Sequence, residues 1–174
     1  MIEQVAAILM TAITSVLAGP PAVTSPPPPF ESPSQDFRVS FPTMPLMTGH
    51  APADDDDSGS WIYAVRLNGR SFMVRIDQYP NHIRVPAPNQ RTYELLLRAH
   101  AEETSSRLVL VKPVEVAGLA GLQGDFVDAR GADELVRVLM VGRRIYQLSY
   151  TLPPGGAGGE QGDGFLTSFQ ITAR

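Results

Sequence analysis

One dipeptide constrains this chain more than any other. Asn68-Gly69 stands between residues 61–67 and 70–76, two runs in which large apolar side chains alternate with polar or small ones. A two-residue hairpin turn of type I′ needs positive φ at both central positions, and Asn followed by Gly meets that need at low steric cost. Pairing across such a turn sets Val65 opposite Phe72, Tyr63 opposite Val74 and Trp61 opposite Ile76 on one face. Arg66, Ser71 and Arg75 then lie on the other. A slip of one residue would carry every side chain to the opposite face, so a register that sorts this cleanly predicts a sheet with one buried side.

The rest of the chain extends that sheet. Phe37, Val39 and Phe41 alternate with polar neighbours and predict an opening strand over 36–42. After Pro86 and Pro88, Asn89 is placed to cap a helix running to about Thr104, with Tyr93, Leu96, Leu97 and His100 on one apolar stripe. Strands are predicted over 107–111, 114–116 and 122–128. A long hairpin follows over 134–152, turning near Gly142-Arg143-Arg144. An odd loop length there sets Val136, Val138 and Met140 against Tyr150, Leu148 and Tyr146, whereas an even one mixes the faces, so the odd loop is preferred. The glycines of 155–164 predict a flexible loop, leading to the end of a short helix at 165–169 and a strand at 170–172. The fold class is therefore α+β: a single antiparallel sheet of about six or seven strands, with one main helix and a short C-terminal helix packed on it.

At 174 residues, one such domain is what the chain has room for. Residues 5–19 are uncharged and apolar but only 15 long, short of the roughly 20 that cross a bilayer as a helix. Val16-Leu17-Ala18 supplies the small residues of a cleavage site, so 1–18 reads as a signal peptide, although Glu3 is acidic and no Lys or Arg precedes the apolar run. An uncleaved membrane anchor and a buried N-terminal helix are the alternatives. Residues 19–35 hold seven prolines and a single charge, the composition of an extended spacer. The folded domain is then expected over 36–174, outside the cytoplasm.

The segments FRVSFP, VEVAGLAGLQGDF, VRVLMVGRRIYQLSYTLP and FLTSFQI together resemble the PsbP-like superfamily, an antiparallel sheet with helices on its faces. The resemblance spans about residues 36–174 and rests on short, mostly structural motifs. It implies a PsbP-like α/β/α sandwich and an accessory or binding role without catalysis. The acidic insertion ADDDDSG belongs to none of these motifs, and a photosynthetic role is not implied.

Chemistry is hard to anchor. The chain has no cysteine, which excludes disulfides, thiolate metal sites and Cys nucleophiles. Net charge is −4, and the 14 basic residues are scattered apart from Arg143-Arg144, so a nucleic-acid partner is not expected. Asp54-Asp55-Asp56-Asp57-Ser58-Gly59 imitates the start of a calcium loop, but position nine falls on Ile62 and position twelve on Val65, where a bidentate Glu is required. His50 and His82 are assigned to loops, and His100 to the apolar stripe of the helix as a partly buried residue bonded to a neighbour. G-x-S-x-G and a phosphate-loop ending are both absent from the sequence. No catalytic, cofactor-binding or metal residue is nominated. The expected function is an exported, non-enzymatic accessory or binding domain that recognises a protein or a small hydrophobic ligand through one face of the sheet. The alternatives are a hydrolase or metal-dependent enzyme with a site assembled from dispersed residues, and a membrane-anchored structural protein if residues 1–18 are retained. A cleft in which His82 or His50 meets carboxylates would favour an enzyme, and an apolar cavity would favour binding.

Overall fold

In a computed structural model of the chain, which describes residues 28–34, 36–50, 58–155 and 159–172, Asn68 and Gly69 take φ of 50° and 76°. The strands they join, β4 (Gly59–Leu67) and β5 (Arg70–Gln78), are elements of a longer order. β1 (Phe30–Glu31), β2 (Phe37–Val39) and β3 (Leu46–His50) precede them. α1 (Gln90–Thr104), β6 (Arg107–Val116), β7 (Leu119–Val127), β8 (Asp133–Val141), β9 (Arg144–Leu152), α2 (Gly159–Ser168) and β10 (Gln170–Ile171) follow. The β4–β5 register is the expected one: Val65 pairs with Phe72, Tyr63 with Val74 and Trp61 with Ile76.

The class is α+β, but the expectation of a single sheet is corrected. Seven antiparallel strands form the main sheet in the order β3-β4-β5-β9-β8-β7-β6, and β1-β2-β10 form a separate three-stranded sheet. The alternation of Phe37 and Val39 marks a buried face correctly, yet strands of two and three residues carry no signal of which sheet they join. The domain also starts earlier than 36. Phe30, inside the expected spacer 19–35, pairs with Val39 and packs its ring tilted against Tyr63 at 5.3 Å and edge-on to Phe41 at 5.8 Å. A lone aromatic among prolines is easily read as linker.

Both faces of the central strands are covered. α1, capped by Asn89 as expected and closed by a reciprocal Thr92 bond, packs on β6, β7 and β8 over Leu122, Phe126, Val136, Val138 and Met140. The small sheet and α2 cover the other face over Phe72, Leu139, Tyr146, Leu148 and Tyr150. This explains a second correction. The β8–β9 turn is the two-residue Gly142-Arg143, so Val136, Val138 and Met140 pair with Ser149, Gln147 and Ile145. An odd loop would segregate one apolar face, but a strand covered on both sides has no polar face to segregate.

Two smaller differences follow. β6 runs unbroken through Pro113, with a register shift between Leu108 and Leu110, because an edge strand tolerates a residue without an N–H. Residues 159–164, expected to be flexible loop, form the start of α2, and Gly162 is buried in it.

Phe72 is 1% exposed, with its ring 5.0 Å from Tyr150 and 5.5 Å from Phe165. Phe72→Ala is expected to cost about 3 to 5 kcal/mol. Arg66→Ala, at an exposed position of the same hairpin, is expected to stay within about 0.5 kcal/mol of the parent. Urea melts of the two variants check the contrast.

Candidate functional site

The described residues between β1 and β2, Ser32–Ser34 and Asp36, fold back through hydrogen bonds. The Ser32 amide donates to the Phe37 carbonyl at 3.0 Å, and the amides of Asp36 and Phe37 donate to Ser32 Oγ at 3.1 and 3.3 Å. This turn delivers the Asp36 carboxylate into the protein, where its side chain is 3% exposed. Ser32 Oγ and Ser34 Oγ donate to its Oδ1 at 2.5 and 2.6 Å. Arg144 Nη1 donates to Oδ2 at 2.5 Å, and the Tyr146 hydroxyl to the same oxygen at 3.4 Å. Thr172 N donates to the Asp36 carbonyl at 2.9 Å. Asp36 therefore joins the N-terminal turn to β9 and to the C-terminal strand.

The electrostatics follow from this setting. Burial acts to raise the Asp36 carboxyl, but the Ser32 and Ser34 hydroxyls and then the Arg144 guanidinium outweigh it and hold the group below the ordinary carboxylate value. Burial, and next the Asp36 charge, push the hydroxyls of Tyr63 and Tyr146 upward. Beside this cluster lies a cleft of about 160 Å³ lined by Pro33, Ser34, Asp36, Met47, Trp61, Tyr63, Ile76 and Arg144. Drug-sized ligands occupy roughly 300 to 1,000 Å³, so this space fits one apolar side chain or a small group.

Three exposed apolar residues lie in and just before β3, Met44 at 81%, Leu46 at 79% and Met47 at 56%, and of these Met47 lines the cleft. Two further grooves, of about 280 and 540 Å³, lie along the same N-terminal segment, sharing Pro28, Pro29 and Phe41. On the α1 side of the sheet, Leu46, Ala64 and Met73 form one cross-strand row. Leu46 stands exposed, and the other two are half-buried.

The histidines fall elsewhere. His100 is 4% exposed, with Nε2 3.0 Å from Glu134 Oε2, Nδ1 2.9 Å from Gln147 Nε2 and its ring edge-on to Phe126 at 5.0 Å. This is the buried, neighbour-bonded residue expected from the helix stripe, enclosed among α1, β7, β8 and β9 rather than facing a cleft. His82 is exposed in the turn after β5. His50 ends β3 rather than standing in a loop, and its side chain is outside the described set, as is the run Asp54–Asp57. The apparent signal peptide, residues 1–18, is outside it too. Among the described residues, no group of three or more His, Cys, Asp or Glu could hold a metal, and no helix is long and apolar enough to cross a membrane.

The Arg143-Arg144 pair is used internally. Arg143 donates to Asn81 Oδ1 and to the Tyr79 carbonyl, and Arg144 Nε donates to Gln78 Oε1 at 2.7 Å besides its contact with Asp36. The polar half of the cleft is not legible in the sequence, because Ser32 and Ser34 fall in the expected spacer and Asp36 at the polar start of the opening strand, and Arg144 is 108 positions from Asp36. Its apolar half, Trp61, Tyr63 and Ile76, was assigned to the buried face, and Trp61 is instead half-buried at the cleft wall. In comparisons with known proteins, no family model and no curated protein matches the chain.

Proposed function

We propose that the chain is an exported, non-enzymatic binding domain of PsbP-like type, which recognises a protein partner by admitting an apolar side chain into the cleft beside Asp36. The observation that carries this reading is the state of the cleft's own carboxylate. Both Asp36 oxygens are occupied by donors, and the Ser32 and Ser34 hydroxyls and then Arg144 hold the carboxyl below its ordinary value. A carboxylate so engaged has no proton to give and little capacity to take one, which does not suit a general acid or base. The wall formed by Met47, Trp61, Tyr63 and Ile76 offers contact area instead. Buried aromatic anchors in a small desolvated pocket are what dominate protein interfaces.

Trp61 is the only tryptophan of the chain, so its fluorescence reports on the cleft directly. Affinity capture with the exported protein, read by mass spectrometry, is expected to yield a partner that shifts Trp61 emission when added back. Met47→Asp, at a 56% exposed position, is expected to reduce that capture about tenfold or more, the scale of one lost anchor. Leu95→Asp on α1, 58% exposed, is expected to leave it unchanged. A partner that ignores Met47→Asp, or the recovery of none, would refute the reading.

A further inference from the structure

The main sheet has two edges, β3 and β6, and they differ in chemistry. β6 is guarded: it carries Arg107, Lys112 and Glu115, a proline at 113 and a register shift between Leu108 and Leu110. Charge, proline and irregularity are the devices by which proteins keep an edge strand from pairing with another chain. β3 has none of them over its own length. Residues 43–49 read TMPLMTG without a charge, and Met44 and Leu46 are the two most exposed large hydrophobic residues among those described. Five residues of backbone run along this edge, and among the described residues they pair with β4 on one side only.

We infer that β3 pairs with β3 of a second copy of this chain, antiparallel across a two-fold axis at Thr48, joining two seven-stranded sheets into one. A two-fold contact brings the same surface together from both copies, so it requires a strand that does not repel itself. The absence of charge in 43–49 satisfies that requirement, whereas β6 carries three charged residues and a proline within its paired length. The axis at Thr48 puts Met47 opposite Gly49 of the second copy. In each chain Gly49 lies so close to Trp61 that a Cβ there would stand 2.9 Å from the indole, so the indole covers Gly49 and is the surface that the incoming Met47 meets. Leu46 and Thr48 pair with Ala64 and Ile62, on the face away from Trp61, so Leu46→Lys and Thr48→Cys probe the edge without altering the cleft wall, whereas Met47 belongs to both.

The chain has no cysteine, which makes disulfide trapping unambiguous. Opposed residues of an antiparallel pair lie about 4.5 to 5.5 Å apart at Cα, within disulfide range. Full-length Thr48→Cys under mild oxidation is expected to form a covalent dimer, while Val109→Cys on β6, 52% exposed, is not. The parent chain is expected to sediment at twice the chain mass and Leu46→Lys at once, a twofold fall. Because trapping at position 48 adds no charge to the strand, it reads the contact even if Leu46→Lys folds poorly. A parent that stays monomeric, an unchanged mass for Leu46→Lys, or equal trapping at 48 and 109 would overturn the inference. So would a monomer whose β3 amides become protected from exchange only when an apolar extended peptide is added, since the occupant would then be a foreign strand.

Discussion

Asp36→Ala is expected to destabilise the domain by about 3 to 5 kcal/mol, towards the lower figure because Arg144 is 33% exposed and partly screened. The loss has several parts. Arg144 loses the partner that holds it at 2.5 Å, and the Ser32 and Ser34 hydroxyls lose their acceptor. The turn that positions Phe30 against Tyr63 then loses its link to β9. The pH dependence has a definite sign. The folded carboxyl titrates below its ordinary value, so the native state binds its proton less readily than the unfolded chain does. The stabilisation is therefore complete above the unfolded value of about 3.9 and is lost as pH falls below it through the folded value. Urea melts of parent and variant from neutral pH down to about pH 3 should show the gap between them narrowing only at the acid end. A gap constant with pH would mean that packing alone, and not the charge, holds the turn.

The legibility of this fold in the sequence tracks how one-sided each strand is. The β4–β5 hairpin has Val65, Phe72 and Val74 buried against Arg66, which is exposed, and its turn residues admit one geometry, so alternation and turn chemistry agreed. In the β8–β9 hairpin, Val136, Val138 and Leu139 are all 0% exposed. Consecutive buried residues erase the period of two, and the register had to come from the turn alone. The candidate site was legible by halves for a related reason. Hydrophobic pattern flags Trp61, Tyr63 and Ile76 because their neighbours in sequence are their neighbours on the strand. The Asp36–Arg144 pair joins a turn to a strand across most of the chain, and no local period encodes it. His100 could be read because a helix stripe announces burial, but Glu134 and Gln147 as its partners follow only from the true β8–β9 register. The exposed edge at β3 was invisible for the opposite reason: TMPLMTG has too little alternation to read as a strand, and its exposure depends on what the rest of the sheet leaves uncovered.

The glycine-rich stretch before the last strand is where composition misleads most, and there two substitutions are expected to act in opposite directions. Gly162 lies in α2 against β9, and a Cβ at this position would stand 2.0 Å from Tyr150 Cδ1 and 2.1 Å from Cε1. The ring is 0% exposed and is held by Phe72 at 5.0 Å, so it has no space to swing into. Gly162→Ala must instead lift α2 away from β9 and with it Phe165 and Leu166, which are 2% and 1% exposed. The replacement gains up to about 1 kcal/mol of helix propensity. Overpacking costs about 1 to 3 kcal/mol where a core can adjust and more where it cannot. Here the contact is with an enclosed ring, so a net loss at or above about 3 kcal/mol is expected. Gly164, two residues along the same helix, provides the control. It is exposed, and a Cβ there would meet nothing within 4 Å. Gly164→Ala should therefore stabilise by about 0.5 to 1 kcal/mol, the ordinary gain of Ala over Gly in a helix. Thermal or urea melts of the two variants must move in opposite directions if these glycines serve close packing in one case and nothing in the other. A shift of the same sign for both would mean that α2 is a loosely held segment, its glycines present for flexibility after all.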